Sequence, residues 1–380
     1  MTSSLGSQIG ECTGQWVGVI LTQGEGLGDR PLSRNSHEGV GSVGGGKSKT
    51  AELLTGKPLA GMDENEASSG IVEKGKDESV EIRKVDTGPV AFVANGDYIV
   101  GSNNNKIRRW RVKDGKEVGQ PMKAGNDVWS IAVSRDGKWI VSGTTRGHVA
   151  VWDAESHNMA IAFRGHEGPV LAVDISPDGT RFATGSYDKT VRIWSLPTGE
   201  QLLGPLEHNR YVTAVKFAPD GRSIATATLS KSVLIFDGHD GRLLVDTPIR
   251  VGSLYNHSLA WGGLGKPLFA LSKDGNIHCI DVATGMTLSK WAIHSNNNPL
   301  SIVLASDGAF IAASANASVS FWDIATHQQI GPLIHHLTHV ICMAISANED
   351  LAISGGKKIT LRKLLDILPS SYFDHVCVFS

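Results

Sequence analysis

The chain has 380 residues, 41% of them hydrophobic, which is ordinary for a soluble globular protein with a sizeable core. Its 36 Lys and Arg nearly balance 38 Asp and Glu, so the formal charge of −2 supplies no overall field to gather nucleic acid or an anionic membrane. Four cysteines, Cys12, Cys279, Cys342 and Cys377, form no Cys-x-x-Cys pair, which excludes a disulfide framework and a cysteine zinc site and points to a reducing, cytoplasmic or nuclear location.

The start, MTSSLGSQIGECTGQ, lacks the basic segment and unbroken apolar core of a secretory signal, and no run approaches the roughly 18 apolar residues of a membrane helix. Residues 1–78 are rich in Gly, Ser and charge, with a single apolar patch at Trp16–Leu21 and no sustained periodicity. Too little apolar surface is available there to offset the entropy of ordering, so a disordered tail is expected. Within it GSVGGGKS, residues 41–48, matches the phosphate-binding loop G-x-x-x-x-G-K-S. That loop works between a buried strand and a helix whose N–H groups converge on phosphate. RPLSRNSHEGV upstream is no strand and KTAELLTGKP downstream offers a short helix at most, so a linker is preferred and nucleotide binding is the alternative.

From residue 79 the chain changes to short Val, Ile, Ala, Leu and Phe runs separated by Asp-Gly or Asn-Gly turns. The run Ser79–Val85 alternates as a strand. The ends of the following units align at Trp110, Trp152, Trp194, Phe236, Ile280, Trp322 and Arg362, in steps of 42, 42, 42, 44, 42 and 40 residues. A period of roughly 40–45 residues, each with four strands, is the mark of a β-propeller. Asp136-Gly137, Asp178-Gly179, Asp220-Gly221 and Asp307-Gly308 supply the first hairpin turn, where a residue tolerant of positive φ is needed. In Val191-Arg192-Ile193-Trp194 the alternation of a third strand is plain.

The units are similar to those of the WD-repeat family, the third most clearly: Gly165-His166, then SPDG at 176–179 and FATGSYDKTVRIW at 182–194. The resemblance covers about 300 residues and implies an all-β fold, a seven-bladed propeller of four-stranded antiparallel blades. It also implies a closed polar network in which the Trp indole N–H meets a strand-b hydroxyl, a His before strand a and an Asp in the b–c turn: here Trp194, Thr184, His166 and Asp188. Unit four keeps His208 and Thr226 but has Ser230 for Asp and Phe236 for Trp. Unit two keeps Trp152 and Ser142 but has Arg146; unit five has Asp274 beside Ile280; unit six has Trp322 and His294 but Asn316; unit seven has Arg362 at the Trp position. In unit one Asn104 takes the Asp position and no His precedes. Those units are expected to rely on apolar burial.

An open ring would expose two sheet edges, so one terminus must supply the last outer strand. Ser79–Val85 is favoured, and Tyr372–Val378 is the rival. The expected layout is a tail at 1–78, the propeller at 79–368 and a C-terminal extension at 369–380. The last four residues, Cys377-Val-Phe-Ser380, fit a prenylation signal, but LPSSYFDHV upstream has no Lys or Arg to help anchor a lipid, so an ordinary end is preferred.

His166, His208 and His294 recur just before strand a and read as structural, and His335-His336 has no third ligand in view. No catalytic motif, metal site or cofactor is expected. The resemblance implies a non-catalytic scaffold or adaptor that binds other proteins, a monomeric propeller within a larger complex, with no nucleic-acid partner and no membrane. Interfaces favour Trp, Tyr and Arg anchors, which selects Trp129, Arg146, Tyr187, Arg210 and Tyr211, in or beside the loops of units two to four. Trp129 starts a strand and is equally readable as core.

Overall fold

The computed structural model describes residues 79–373, apart from 84–87, 94–95, 230–231, 246–248, 252–253, 264–266 and 294–298. The described chain folds into seven four-stranded antiparallel sheets, the blades of a propeller. In six of them strands a, b, c and d follow one another in space as in sequence. Blade three is Val170–Ile175, Arg181–Ser186, Thr190–Ser195 and Gln201–Glu207.

Blade seven takes its strands from both ends of the propeller. Val340–Ile345, Asp350–Gly355 and Lys358–Lys363 are its a, b and c strands, and Val80–Arg83 pairs with the last as strand d, Val80 opposite Leu361 and Arg83 opposite Lys358. The rival Tyr372–Val378 is overturned because Val80–Arg83 occupies that outer edge; of the rival only Tyr372 and Phe373 are described, and Ser370–Tyr372 is a 3-10 turn. Its neighbour Phe373 is buried with Leu364 and Leu368 against Phe310, Phe321 and Ile334, so residues 364–373 are held by side-chain packing on blade six.

The cores lie between blades. Among the described residues seven apolar clusters form, each shared by two neighbours; one joins Val141, Val149 and Val151 of blade two to Val173, Phe182 and Trp194 of blade three. Another, with Ile82, Ile359 and Leu361 of blade seven against Val90, Ile99 and Trp110 of blade one, closes the circle. A twisted sheet with two apolar faces cannot cover both alone, and stacking around a ring covers both at once.

Strand a slips register after its first residue in blades two, three, four and seven, leaving Trp129, Leu171, Thr213 and Ile341 with no directly opposite partner. Such bulges re-aim a side chain and sharpen local twist. Here they lie at the end of strand a where the d–a loop enters.

Candidate interaction face

Because successive strands are antiparallel, the b–c turns and d–a loops of every blade emerge at one end of the ring, here the upper face, and the a–b and c–d turns at the other. Arg146, Tyr187, Arg210 and Tyr211 all lie in upper-face turns or loops. Trp129 is in strand Val128–Val133, half-buried at the bulge rather than in a loop. Tyr187, 39% exposed in the b–c turn of blade three, stacks on Tyr211 of the loop entering blade four, with ring centroids 3.6 Å apart and planes 16° from parallel. Both arginines are exposed. Among the five, the Tyr187–Tyr211 stack is the pair held in ring contact.

Beneath that pair sits a polar network with a defined direction. The Trp194 indole N–H donates to Thr184 Oγ1 at 2.8 Å, and Thr184 lies 2.6 Å from His166 Nε2. His166 Nδ1 is 2.8 Å from Asp188 Oδ2. A carboxylate can only accept, so Nδ1 carries the imidazole proton and Nε2 accepts the Thr184 hydroxyl proton. Asp188 also receives the Glu167 N–H at 3.1 Å and the Thr190 N–H and hydroxyl at 3.0 and 2.7 Å. Burial penalises the Asp188 charge, but hydrogen bonds from His166 and Thr190, with the attraction of His166, hold its carboxyl well below the usual carboxylate range. The network fixes the loop before strand a to the b–c turn, the two segments that carry the upper face. Gly147, in the neighbouring b–c turn at φ +76°, accepts the N–H groups of Gly165 and His166 at 3.0 and 3.1 Å. A Cβ there would meet the His166 carbonyl at 2.2 Å, so only glycine allows this contact between blades two and three.

The other blades hold their polar groups differently. In blade two Trp152 donates to Ser142 at 3.0 Å. In blade four His208 Nε2 lies 2.8 Å from Thr226 and Nδ1 lies 3.0 Å from the Leu206 carbonyl oxygen. Burial pushes His208 down to about 4.

In these blades the hydroxyl is on strand b, opposite an apolar or long side chain on strand c: Thr184 faces Arg192, Ser142 faces Ala150 and Thr226 faces Leu234. Blades five to seven invert the pair. Ala270 faces His278, Ala313 faces Ser320 and Ile353 faces Thr360. Accordingly Trp322 donates to Ser320 on its own strand at 2.8 Å, and His336 Nε2 lies 3.4 Å from Thr360. Reading the sequence from strand b alone missed Ser320, His278 and Thr360; the signal was a polar residue two places before each unit's end. His336, left in the sequence as half of a histidine pair, is buried at the position matching His166 and His208.

In blade six the b–c turn is only Asn316-Ala317, between strands Phe310–Ala315 and Ser318–Asp323, with Asn316 at φ +50°. It is one residue shorter than in blade three, so there is no place for the Asp.

The phosphate-loop match at 41–48, Ser230, His294 and Cys377 lie outside the described residues. Among the described residues no group of three His, Cys, Asp or Glu is placed to hold a metal ion, and no helix is long and apolar enough to cross a membrane.

Residues 127–364, well over half of the chain, match the family model described as the IFT122 first beta-propeller. A 96-residue stretch is 32% identical to the human kinesin-like protein KIF21A. That stretch is 24% of this chain and 6% of the human protein, so the similarity concerns a small part of the latter.

Proposed function

The chain belongs to the family of the IFT122 first beta-propeller, and from that premise we propose that it is a non-catalytic scaffold whose upper face binds other proteins. The observation that carries the reading is the stacked, partly exposed Tyr187–Tyr211 pair, with Arg210 next to Tyr211 in its loop and Arg146 in the b–c turn of the neighbouring blade, anchored by the His166–Asp188 network. Aromatic and Arg side chains are the usual anchors of protein interfaces, and rigidity lowers the entropy lost on docking. Trp129, set at the mouth of strand a by its bulge, adds a third anchor. The propeller acts as one member of a larger assembly in the cytoplasm or nucleus. Cys279, a buried thiol, suits a reducing compartment.

The test is crosslinking mass spectrometry on the full chain captured from cells. Partner crosslinks are expected at upper-face Lys189, Lys273 and Lys357, and are expected to fall in a Tyr187→Ala/Tyr211→Ala variant that unfolds normally in urea. Crosslinks confined to Lys113 and Lys138, on the lower face, would refute the reading.

A further inference from the structure

The net charge of −2 hides a separation of charge between the two faces. The cause is turn chemistry. Four a–b turns use Asp-Gly, and strand c ends on Asp in three units and is followed by Asp in a fourth; both places lie on the lower face. Asp136, Asp178, Asp220 and Asp307 occupy the first set, and Asp153, Asp237, Asp281 and Asp323 the second. Most of these carboxylates accept hydrogen bonds from their own turn, such as Ser134 to Asp136, Ser176 to Asp178 and the Thr326 N–H to Asp323.

The upper face is the reverse. Lys106, Lys123, Arg146, Lys189, Arg210 and Lys357 stand around it, all exposed except half-buried Lys106, and none forms an ion pair among the described residues. In blade one Lys106 is directly opposite Lys123 across strands c and d. Like charges so placed repel, a cost that an isolated propeller has no need to bear. Among the described residues of the upper-face turns and loops the acids are Asp127, Glu167, Glu207 and Asp274, together with Asp188, which is committed to His166. They interrupt the cationic ring at intervals. Exposed apolar groups lie within it: the tyrosine stack in blades three and four, and Leu337, 85% exposed, in the loop entering blade seven.

We propose that the upper face selects an acidic protein segment that carries aromatic or aliphatic side chains between its carboxylates; this rests on the reading of that face as the interaction surface. Charge complementarity chooses this occupant. Discrete carboxylates can meet the cations and avoid Asp127, Glu167 and Asp274, whereas the regular phosphates of a nucleic acid or the plane of an anionic bilayer must approach those acids as well. The acidic lower face repels polyanions and so orients an approaching acidic segment toward the upper one.

The probes are a fluorescent peptide of about fourteen residues alternating Glu with Leu and Tyr, and its Gln isostere, titrated into the full chain at two salt concentrations within about one Debye-length regime of physiological. The expected result is binding of the Glu peptide, none of the isostere, and a loss of about tenfold in Arg146→Glu/Lys189→Glu/Arg210→Glu, with Asp136→Lys/Asp220→Lys unchanged. Equal binding by the upper-face variant, or no binding of the Glu peptide at low salt, overturns the proposal. So does tighter binding of single-stranded DNA or phosphatidylserine vesicles in the same assay. If partner crosslinks map to the upper face yet persist in the triple reversal, acid selection fails and the interaction face stands; crosslinks confined to the lower face remove both.

Discussion

Blades three and six place a buried tryptophan at the same point of strand c and satisfy it by different routes. Trp194 donates across the sheet to Thr184, which ties strand c to strand b, to His166 in the incoming loop and, through it, to Asp188 in the b–c turn. Trp322 donates to Ser320 two residues earlier, on the strand it already occupies. The first arrangement links four segments of chain; the second links two, since the Ser320 hydroxyl donates in turn to the Ala313 carbonyl oxygen of strand b at 3.5 Å. A buried indole needs an acceptor, but where that acceptor comes from decides whether the bond also builds tertiary structure. The sector with the cross-linked network is also the one that presents Tyr187 and Tyr211.

The largest effect that tests this contrast is truncation of the two tryptophans. Trp194→Ala should cost about 3–5 kcal/mol, because packing against Phe163 and Phe182 is lost and Thr184 loses its donor. Trp322→Ala should sit at about 3 kcal/mol, the packing loss with a smaller polar penalty. Trp110→Ala should also fall below Trp194→Ala. Urea unfolding checks all three. A Trp194→Ala cost below about 1 kcal/mol would remove the network from the account of stability.

Blade four allows the same question to be asked by pH. His208 is 8% exposed and held neutral by burial down to about 4, whereas in an unfolded chain it titrates at 6.5. As pH falls through that window the unfolded state takes up the proton first, so stability present above pH 6.5 is lost toward pH 4, by about 3 kcal/mol at most. The difference in unfolding free energy between wild type and His208→Gln should therefore shrink across that window. A difference independent of pH would show that His208 is protonated in the folded state as readily as in solution. Asp188 contributes in the same direction lower down: its carboxyl is depressed, so its stabilisation is present above 3.8 and lost as pH drops below it.

A subtler probe removes one hydroxyl from each arrangement. Thr184→Val keeps shape and removes the hydroxyl shared by the Trp194 N–H and His166 Nε2, at a cost of about 2 kcal/mol; Ser320→Ala removes a hydroxyl that accepts from one indole, at about 1 kcal/mol. A double-mutant cycle between Thr184 and Trp194 should show coupling, and equal costs for the two single substitutions would erase the distinction between the blades.

Blade number and the blade-three network were legible because the repeat carries its own phase: once Trp110, Trp152 and Trp194 are set in steps of 42, every strand and turn has an address. Blade seven was legible despite Arg362, since its apolar pattern survives without the tryptophan, and the favoured closing segment Ser79–Val85 contains the observed strand Val80–Arg83. The polar inversion in blades five to seven escaped because hydrogen-bond partners follow cross-strand register, and a b–c turn shorter by one residue in blade six moves the register relative to the sequence count. Trp129 was left open between interface anchor and strand core, because the bulge that holds it is a pairing irregularity, invisible to alternation alone. The separation of charge between faces was written in the Asp-Gly turns, but composition sums over both faces and cancels it.

The smallest effect concerns what holds the C-terminal segment to blade six. Tyr372 Oη donates to Asp323 Oδ2 at 2.6 Å, which pushes the phenol up to about 12, while Leu368 and Phe373 fill the apolar floor beside it. Asp323 has other donors, the Thr326 N–H and hydroxyl at 2.6 and 2.8 Å, so losing the phenol leaves it satisfied. Tyr372→Phe should thus cost about 1 kcal/mol or less, whereas Phe373→Ala should cost about 3 kcal/mol. Hydrogen exchange should show the order reversed in locality: the phenol's loss loosens only the turn at 370–372, and the phenylalanine's loss extends into strand b of blade six through Phe310. If Tyr372→Phe were the costlier of the two, the hydrogen bond rather than apolar packing would hold this segment, and blade six would depend on a polar tie between chain segments much as blade three does.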